Sequence, residues 1–266
     1  MKIIVCIKQV PGTTKVDIDP ETGVLKRDGI DSKMNPYDLY ALETAFQIIQ
    51  EVGGSITVVT MGPPQAEAVI REAYMMGADE GYILSDRGFA GSDVLATSYT
   101  LAQGIEKIGG YDLILCGKQT TDGDTAQVGP AMAEHLNIPH VTWVRAINEV
   151  TEDHIVVEQD MADSFEVVEL RYPCLVTVEK DIYTPRLPSY KKMLKTKDRK
   201  IHYLSMRDMD DRNRNKYGLQ GSPTQVERIF QPQSNTDHVI WDADEDGAAN
   251  LFAMLCEKKF VKEEQA

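Results

Sequence analysis

Residues 117–130 read GKQTTDGDTAQVGP, a glycine-bearing polar loop set between the apolar run Leu113–Cys116 and a stretch of helix-forming composition, Ala126–Leu136. That order, strand then loop then helix, makes a place to hold phosphate. The first amides of a helix lack intrahelical partners and its dipole leaves about half a positive charge there, so a diphosphate is favoured. Gly117 and Gly123 free the backbone for tight turns, Lys118 adds a full charge, and Thr125 and Gln127 offer side-chain donors. The same letters also describe an ordinary helix start, with Asp124 or Thr125 as N-cap and Gln127 completing a capping box three residues after Asp124. Neither GxxxxGKS/T nor GxGxxG occurs in this loop, so the P-loop and Rossmann assignments lose weight.

Elsewhere the chain offers little reactive chemistry. Cys6, Cys116, Cys174 and Cys256 are widely scattered, with no CxxC pair or iron-sulfur spacing. His135 and His140 stand on either side of Pro139, and the other histidines are isolated, so no metal site is expected. No acid, base or nucleophile constellation is positioned by the sequence, and no catalytic residue is assigned. The 266 residues carry 28 Lys and Arg against 42 Asp and Glu, a net charge of −14. Such a balance disfavours general binding to nucleic acid or to an anionic membrane. No apolar stretch approaches the roughly 20 residues of a membrane span, and Met1–Val10 runs straight into a short strand. A cytoplasmic location is the expectation.

Strands and helices must alternate to position the loop. Apolar runs at Ile3–Ile7, Ile56–Met61, Gly81–Leu84 and Leu113–Cys116 are separated by helical patterns from Pro36 to about Glu51, from Pro63 to Met76 and from about Ser92 to Ile108. Asn35 before Pro36 reads as an N-cap with proline at the first helical position. This order implies a doubly wound α/β fold with a mostly parallel sheet covered on both faces. The runs His140–Val150, His154–Gln159, Phe165–Arg171 and Leu175–Val178 read as antiparallel hairpin additions. The core is expected to span 1–205, followed over 206–266 by an extended linker and an arm ending in an apolar helix, where Ala248, Leu251, Phe252 and Leu255 form a stripe.

Several segments together resemble the β subunit of electron-transfer flavoproteins over residues 1–230: Val5-Cys6-Ile7-Lys8, Met34-Asn35-Pro36-Tyr37-Asp38, Thr60-Met61-Gly62-Pro63, GKQTTDGDTAQVG, and Pro185-Arg186-Leu187-Pro188-Ser189 followed by lysines. The resemblance implies an adenine-nucleotide α-hydrolase-like core and a heterodimer with a larger α subunit. It further implies a nucleotide held by the first four segments. Its adenosine would meet Cys6, Asn35, Pro36, Tyr37, Asp38 and Met61. Its phosphates would lie along Gly117, Lys118, Gln119, Thr120, Thr121, Asp122, Gly123, Asp124, Thr125, Ala126, Gln127 and Val128. Asp122 and Asp124 would repel a phosphate aimed at directly, so they are assigned to capping, to backbone bonds or to a ribose hydroxyl.

Two ligands occur at this place in the family. Simple carriers hold structural AMP there, whereas electron-bifurcating members hold a second FAD. The version here, DGDTAQVGP, resembles the bifurcating form, which implies FAD, with NADH as donor and with ferredoxin and a dehydrogenase of acyl-CoA or 2-hydroxy-acid type as acceptors. The basic run Arg186–Lys200 corresponds to the family's dehydrogenase-docking region, with Tyr190 near the position of its leucine anchor. An adenine-nucleotide hydrolase on a related sheet is a remoter alternative, since no SGGxDS loop follows the first strand.

Overall fold

The computed structural model describes residues 1–12, 32–227 and 238–261. The described residues up to 227 form one compact unit, and residues 238–261 belong to a second. The first unit is built from β1 (Lys2–Cys6), β2 (Gln9–Pro11), β3 (Ser32–Met34), α1 (Pro36–Val52), β4 (Ser55–Met61), α2 (Glu67–Met76), β5 (Glu80–Leu84) and α3 (Val94–Ile108). It continues with β6 (Leu113–Gly117), α4 (Val128–Leu136), β7 (His140–Val150), β8 (His154–Asp160), β9 (Phe165–Arg171), β10 (Cys174–Val178), α5 (Tyr190–Thr196) and β11 (His202–Leu204). The second unit contains α6 (Glu245–Glu257), whose N-cap Asp244 accepts from the Gly247 amide at 2.8 Å.

The main sheet has nine strands in the order β11-β5-β4-β1-β6-β10-β7-β8-β9, parallel from β11 to β7 and antiparallel from β7 to β9. This is the α/β architecture expected from the alternation. Because both faces are covered, strand residues are apolar on both sides and alternate between two cores. Ile3, Val5, Leu113, Leu115, Val176 and Val178 pack with α1 and α2, whereas Ile4, Ile114, Cys116 and Leu175 pack with α3 and α4. The chain runs outward from β1 to β4 and β5, then returns to lay β6 on the other side of β1. Such a reversal opens a crevice at the carboxyl ends of the strands.

The structure corrects two expectations. β10 is not part of a hairpin addition: it lies between β6 and β7, parallel to both, as a fully buried central strand. Of the four runs from His140 to Val178, β8 and β9 are the antiparallel additions, joined to the sheet through β7, and β2 and β3 form a separate antiparallel pair. Residues 206–227 lie within the same compact unit as the core, beyond the boundary at 205 read from composition. They bury Met209 and Tyr217, and the Tyr217 ring meets Phe89 at 5.6 Å and Tyr99 at 5.4 Å. A charge-dense sequence hid two core residues.

Glu43 of α1, with only 3% of its side chain exposed, binds Arg186 through paired contacts of 2.8 Å, and the guanidinium lies 4.2 Å over the Phe46 ring. Burial pushes the Glu43 carboxyl up, but Arg186 outweighs it and holds the group below its ordinary 4.5. Arg186→Ala leaves a buried, unpaired carboxylate and should cost about 3 kcal/mol in urea unfolding. The stabilisation is full above the ordinary glutamate value and is lost as pH falls through the lowered one, so the variant and the parent should converge in acid.

Candidate functional site

The crevice is organised by two polar side chains of the Asn35-Pro36-Tyr37-Asp38 turn. Asn35 is fully buried at the start of α1, and its backbone amide donates to Lys8 O at 2.8 Å. Proline at the first helical position has no amide to satisfy, and the Asn35 side chain bonds no helix amide. It reaches across instead: Nδ2 donates to Asp38 Oδ1 and to Gln119 O, both at 2.9 Å, and Oδ1 accepts from the Thr121 amide at 3.3 Å. Asp38 accepts from the Lys8 amide at 2.7 Å. One asparagine and one aspartate thus join the ends of β1 and β6 to the start of α1. Burial pushes the Asp38 carboxyl up to about 7, against the lowering effect of its bonds to Asn35, Lys8 and Gly117. A Cβ on Gly117 would lie 2.6 Å from Asp38 Oδ1 and from the Tyr37 carbonyl carbon, so only glycine allows this approach.

The loop beyond Gly117 is exposed and irregular. The expected capping box is absent: α4 begins at Val128 with Gln127 as its cap position and no side-chain cap bond. Positive φ angles at Asp124 (49°) and Ala126 (54°) keep the chain out of the helix until that point. Asp124 accepts from Gln119 Nε2 at 2.9 Å, and Asp122 binds Lys8 Nζ at 2.7 Å. Burial raises the Asp122 carboxyl, but Lys8 dominates and lowers it. The amides of Gly123, Thr125, Ala126, Gln127, Val128 and Gly129 form no hydrogen bond with any described residue. With positive φ at Ala126 followed by −109° at Gln127, successive amides turn into a concavity suited to an anion. The residues therefore fit a phosphate.

Cys6 and Met61 end β1 and β4 on the α3 and α4 side of the sheet, half-buried. Cys6 faces Cys116 in the adjacent strand, and the bond to Cys6, together with burial, pushes the Cys116 thiol up. Lys118 is less free than its position suggests. Its ammonium is bound by Glu179 just beyond β10 and lies 4.3 Å over the Trp143 ring. Trp143 is itself in the left-handed region, φ 57°, with its amide bonded to Thr177 Oγ1 at 3.0 Å. Glu179, Trp143 and Thr177 escape a reading of the sequence, since nothing in it reveals that β10 lies beside β6. The unusual Trp143 backbone has no local sequence signal either.

Residues 22–205 match the electron transfer flavoprotein domain model. An electron transfer flavoprotein subunit beta from Thermoanaerobacterium thermosaccharolyticum is 47% identical over 88% of this chain and 89% of its own length. The chain belongs to the electron transfer flavoprotein family, as a β subunit. A caffeyl-CoA reductase-Etf complex subunit, CarD, from Acetobacterium woodii is 42% identical over 98% of this chain and all of its own, and a protein FixA from Azorhizobium caulinodans is 41% identical over 89% and 86%. Electron transfer, a heterodimer with an α subunit, and a general involvement of flavin or AMP come with β-subunit membership. Among the described residues no helix is long and apolar enough to cross a membrane.

Two substitutions probe the turn. Asn35→Ala strips the Gln119 carbonyl and the Thr121 amide of their partner and should cost about 3 kcal/mol in urea unfolding. Because Asp38 holds its proton up to about 7 in the folded chain against 3.8 ordinarily, its contribution to stability falls as pH rises between those values. Asp38→Asn should remove that slope, roughly 4 kcal/mol at full expression, from unfolding measured across pH 4–8.

Proposed function

We propose that this chain is the FAD-binding β subunit of an electron-bifurcating electron transfer flavoprotein. NADH is its electron donor, and ferredoxin and a partner dehydrogenase are its acceptors. The observation that carries the reading is the row of amides at Gly123 and over 125–129, which have no partner among the described residues and are turned by Asp124 and Ala126 at the carboxyl rim of β1, β4 and β6. A dinucleotide supplies the diphosphate that such a row fits, whereas AMP offers a single phosphate. The loop sequence DGDTAQVGP points the same way, and so does the 42% identity to a subunit named for a complex of a caffeyl-CoA reductase with an Etf. Structural AMP in a simple carrier is the second reading.

Each residue then has a physical task. The amides of Gly123 and of 125–129 donate to the diphosphate, and the α4 terminus adds its dipole. Asp122 and Asp124 are tied to Lys8 and Gln119, which leaves the anion facing donors. Cys6 and Met61 give the adenine an apolar wall, and Asn35 and Asp38 fix that wall relative to the loop. The bound flavin supplies hydride acceptance and one-electron transfer, and the chain supplies position and electrostatics.

Partner docking falls to the segment around α5. Its cations divide into two groups. Arg186 serves Glu43, Lys192 donates to Met76 O, and Arg199 donates to Ala78 O, so these three hold the segment down. Leu187 is 85% exposed and Tyr190 71%, beside the exposed Lys191 and Lys195, which suits an acidic dehydrogenase surface with an apolar pocket.

Denaturing the purified α/β complex and quantifying released nucleotides tests the cofactor. Two FAD and no AMP per heterodimer is the expected result, and one FAD with one AMP overturns it in favour of the simple carrier. Tyr190→Ala should weaken dehydrogenase binding about tenfold without changing that content, and binding of the parent should weaken with salt.

A further inference from the structure

Four arginines, Arg87, Arg207, Arg212 and Arg214, line a cleft of about 580 Å³ between the turn after β5 and the segment after β11. None of the four is ion-paired with any described residue, and Arg212 Nε reaches only Met209 O at 3.4 Å. Neighbouring carboxylates are engaged elsewhere. Asp86 accepts from the Gly88 amide at 2.8 Å and the Met206 amide at 3.1 Å, and Asp208 accepts from Ser205. Asp210 pairs with Lys107, and Asp211 is held by Tyr99 at 2.6 Å and Lys216 at 2.7 Å. The lining therefore gathers four guanidiniums against one committed carboxylate, in a chain of net charge −14.

The walls of this cleft are fixed before any ligand arrives. Asp86 bridges them, and the Leu219 amide donates to Ala90 O at 3.1 Å. Gly218, with φ 56°, comes so close that a Cβ there would lie 2.1 Å from Gly88 O. Forked guanidinium donors match phosphate oxygens in pairs, and a hollow of this size lies in the range of small-molecule sites. Met206 and Leu219 add apolar lining, whereas an acidic protein surface would call for a flat or convex patch.

We propose that this cleft binds a small, multiply charged phosphorylated molecule. It shares no residue with the 117–128 loop, so the inference does not rest on the cofactor assigned there. Calorimetric titration of the α/β complex, its own nucleotides retained, with inorganic diphosphate at low salt is the test. One saturable site is expected, weakened at least about tenfold both by Arg87→Ala/Arg212→Ala and by Arg207→Glu/Arg214→Glu, with FAD and AMP content unchanged. Absence of binding up to about 10 mM overturns the proposal, as does unaltered affinity in both variants. Displacement of the retained nucleotide by diphosphate, with the arginine variants unaffected, assigns the probe to the loop and also overturns it. Loss of the α subunit from either variant makes the arginines a subunit contact and overturns it likewise.

Discussion

Everything at the carboxyl rim depends on the buried contact between Asn35 and Asp38. Three chain segments that are far apart in sequence meet there: the exit of β1 at Lys8, the first turn of α1, and the loop that leaves β6 at Gly117. A buried polar pair is costly unless every atom finds a partner, and here the partners are backbone groups of the very segments that must converge. The pair thus turns a desolvation cost into positional specificity. With residues 119–121 held, the amides farther along the loop have a fixed base from which to face a ligand. The requirement for glycine at 117 follows from the same closeness.

Much of the architecture is legible in the sequence because it follows from periodicity. Helix α1 is found where Asn35-Pro36 and Gly53 bracket it, and β1, β4, β5 and β6 fall within a residue or two of their apolar runs, whereas the short parallel edge strand β11 has no such run to announce it. What periodicity lacks is order across the sheet. The run at Cys174–Val178 has the same local character as its neighbours, and nothing in it says that it slots beside β6 rather than continuing a hairpin. Glu179 and Trp143 stay hidden for that reason. The capping box at Asp124 fails for a different one: backbone angles at Asp124 and Ala126 are set by the loop's own bonds, and they override a pattern that fits many helix starts equally well. Asn35 does stand at the helix boundary, yet its side chain caps no helix amide and bonds instead to the Asp38 carboxyl and to the loop.

The distribution of cations repeats this division between scaffold and function. Lys192, Arg199 and Arg71 donate to backbone carbonyls, and Arg186 serves a buried carboxylate, so their charges are consumed in holding α5 and the strand that follows against α1 and α2. The guanidiniums beside Tyr217 form no ion pair with any described residue, and of them Arg212 alone is seen to reach a backbone carbonyl, that of Met209 at 3.4 Å. In an acidic chain, where a carboxylate partner is easily come by, a cation left unpaired within a formed hollow is the more informative kind.

The placement of β10 also bears on how the chain is made. Among the described residues, strand pairing connects β7, β8 and β9 to the rest of the sheet only through β10, which is later in sequence than all of them. A chain that ends at Arg171 therefore lacks the strand that joins β7, β8 and β9 to β6. Until Cys174–Val178 follows, β6 presents an unpaired, apolar edge of the kind that captures strands from other molecules. The last of these strands in sequence thus closes the sheet as a wedge between β6 and β7.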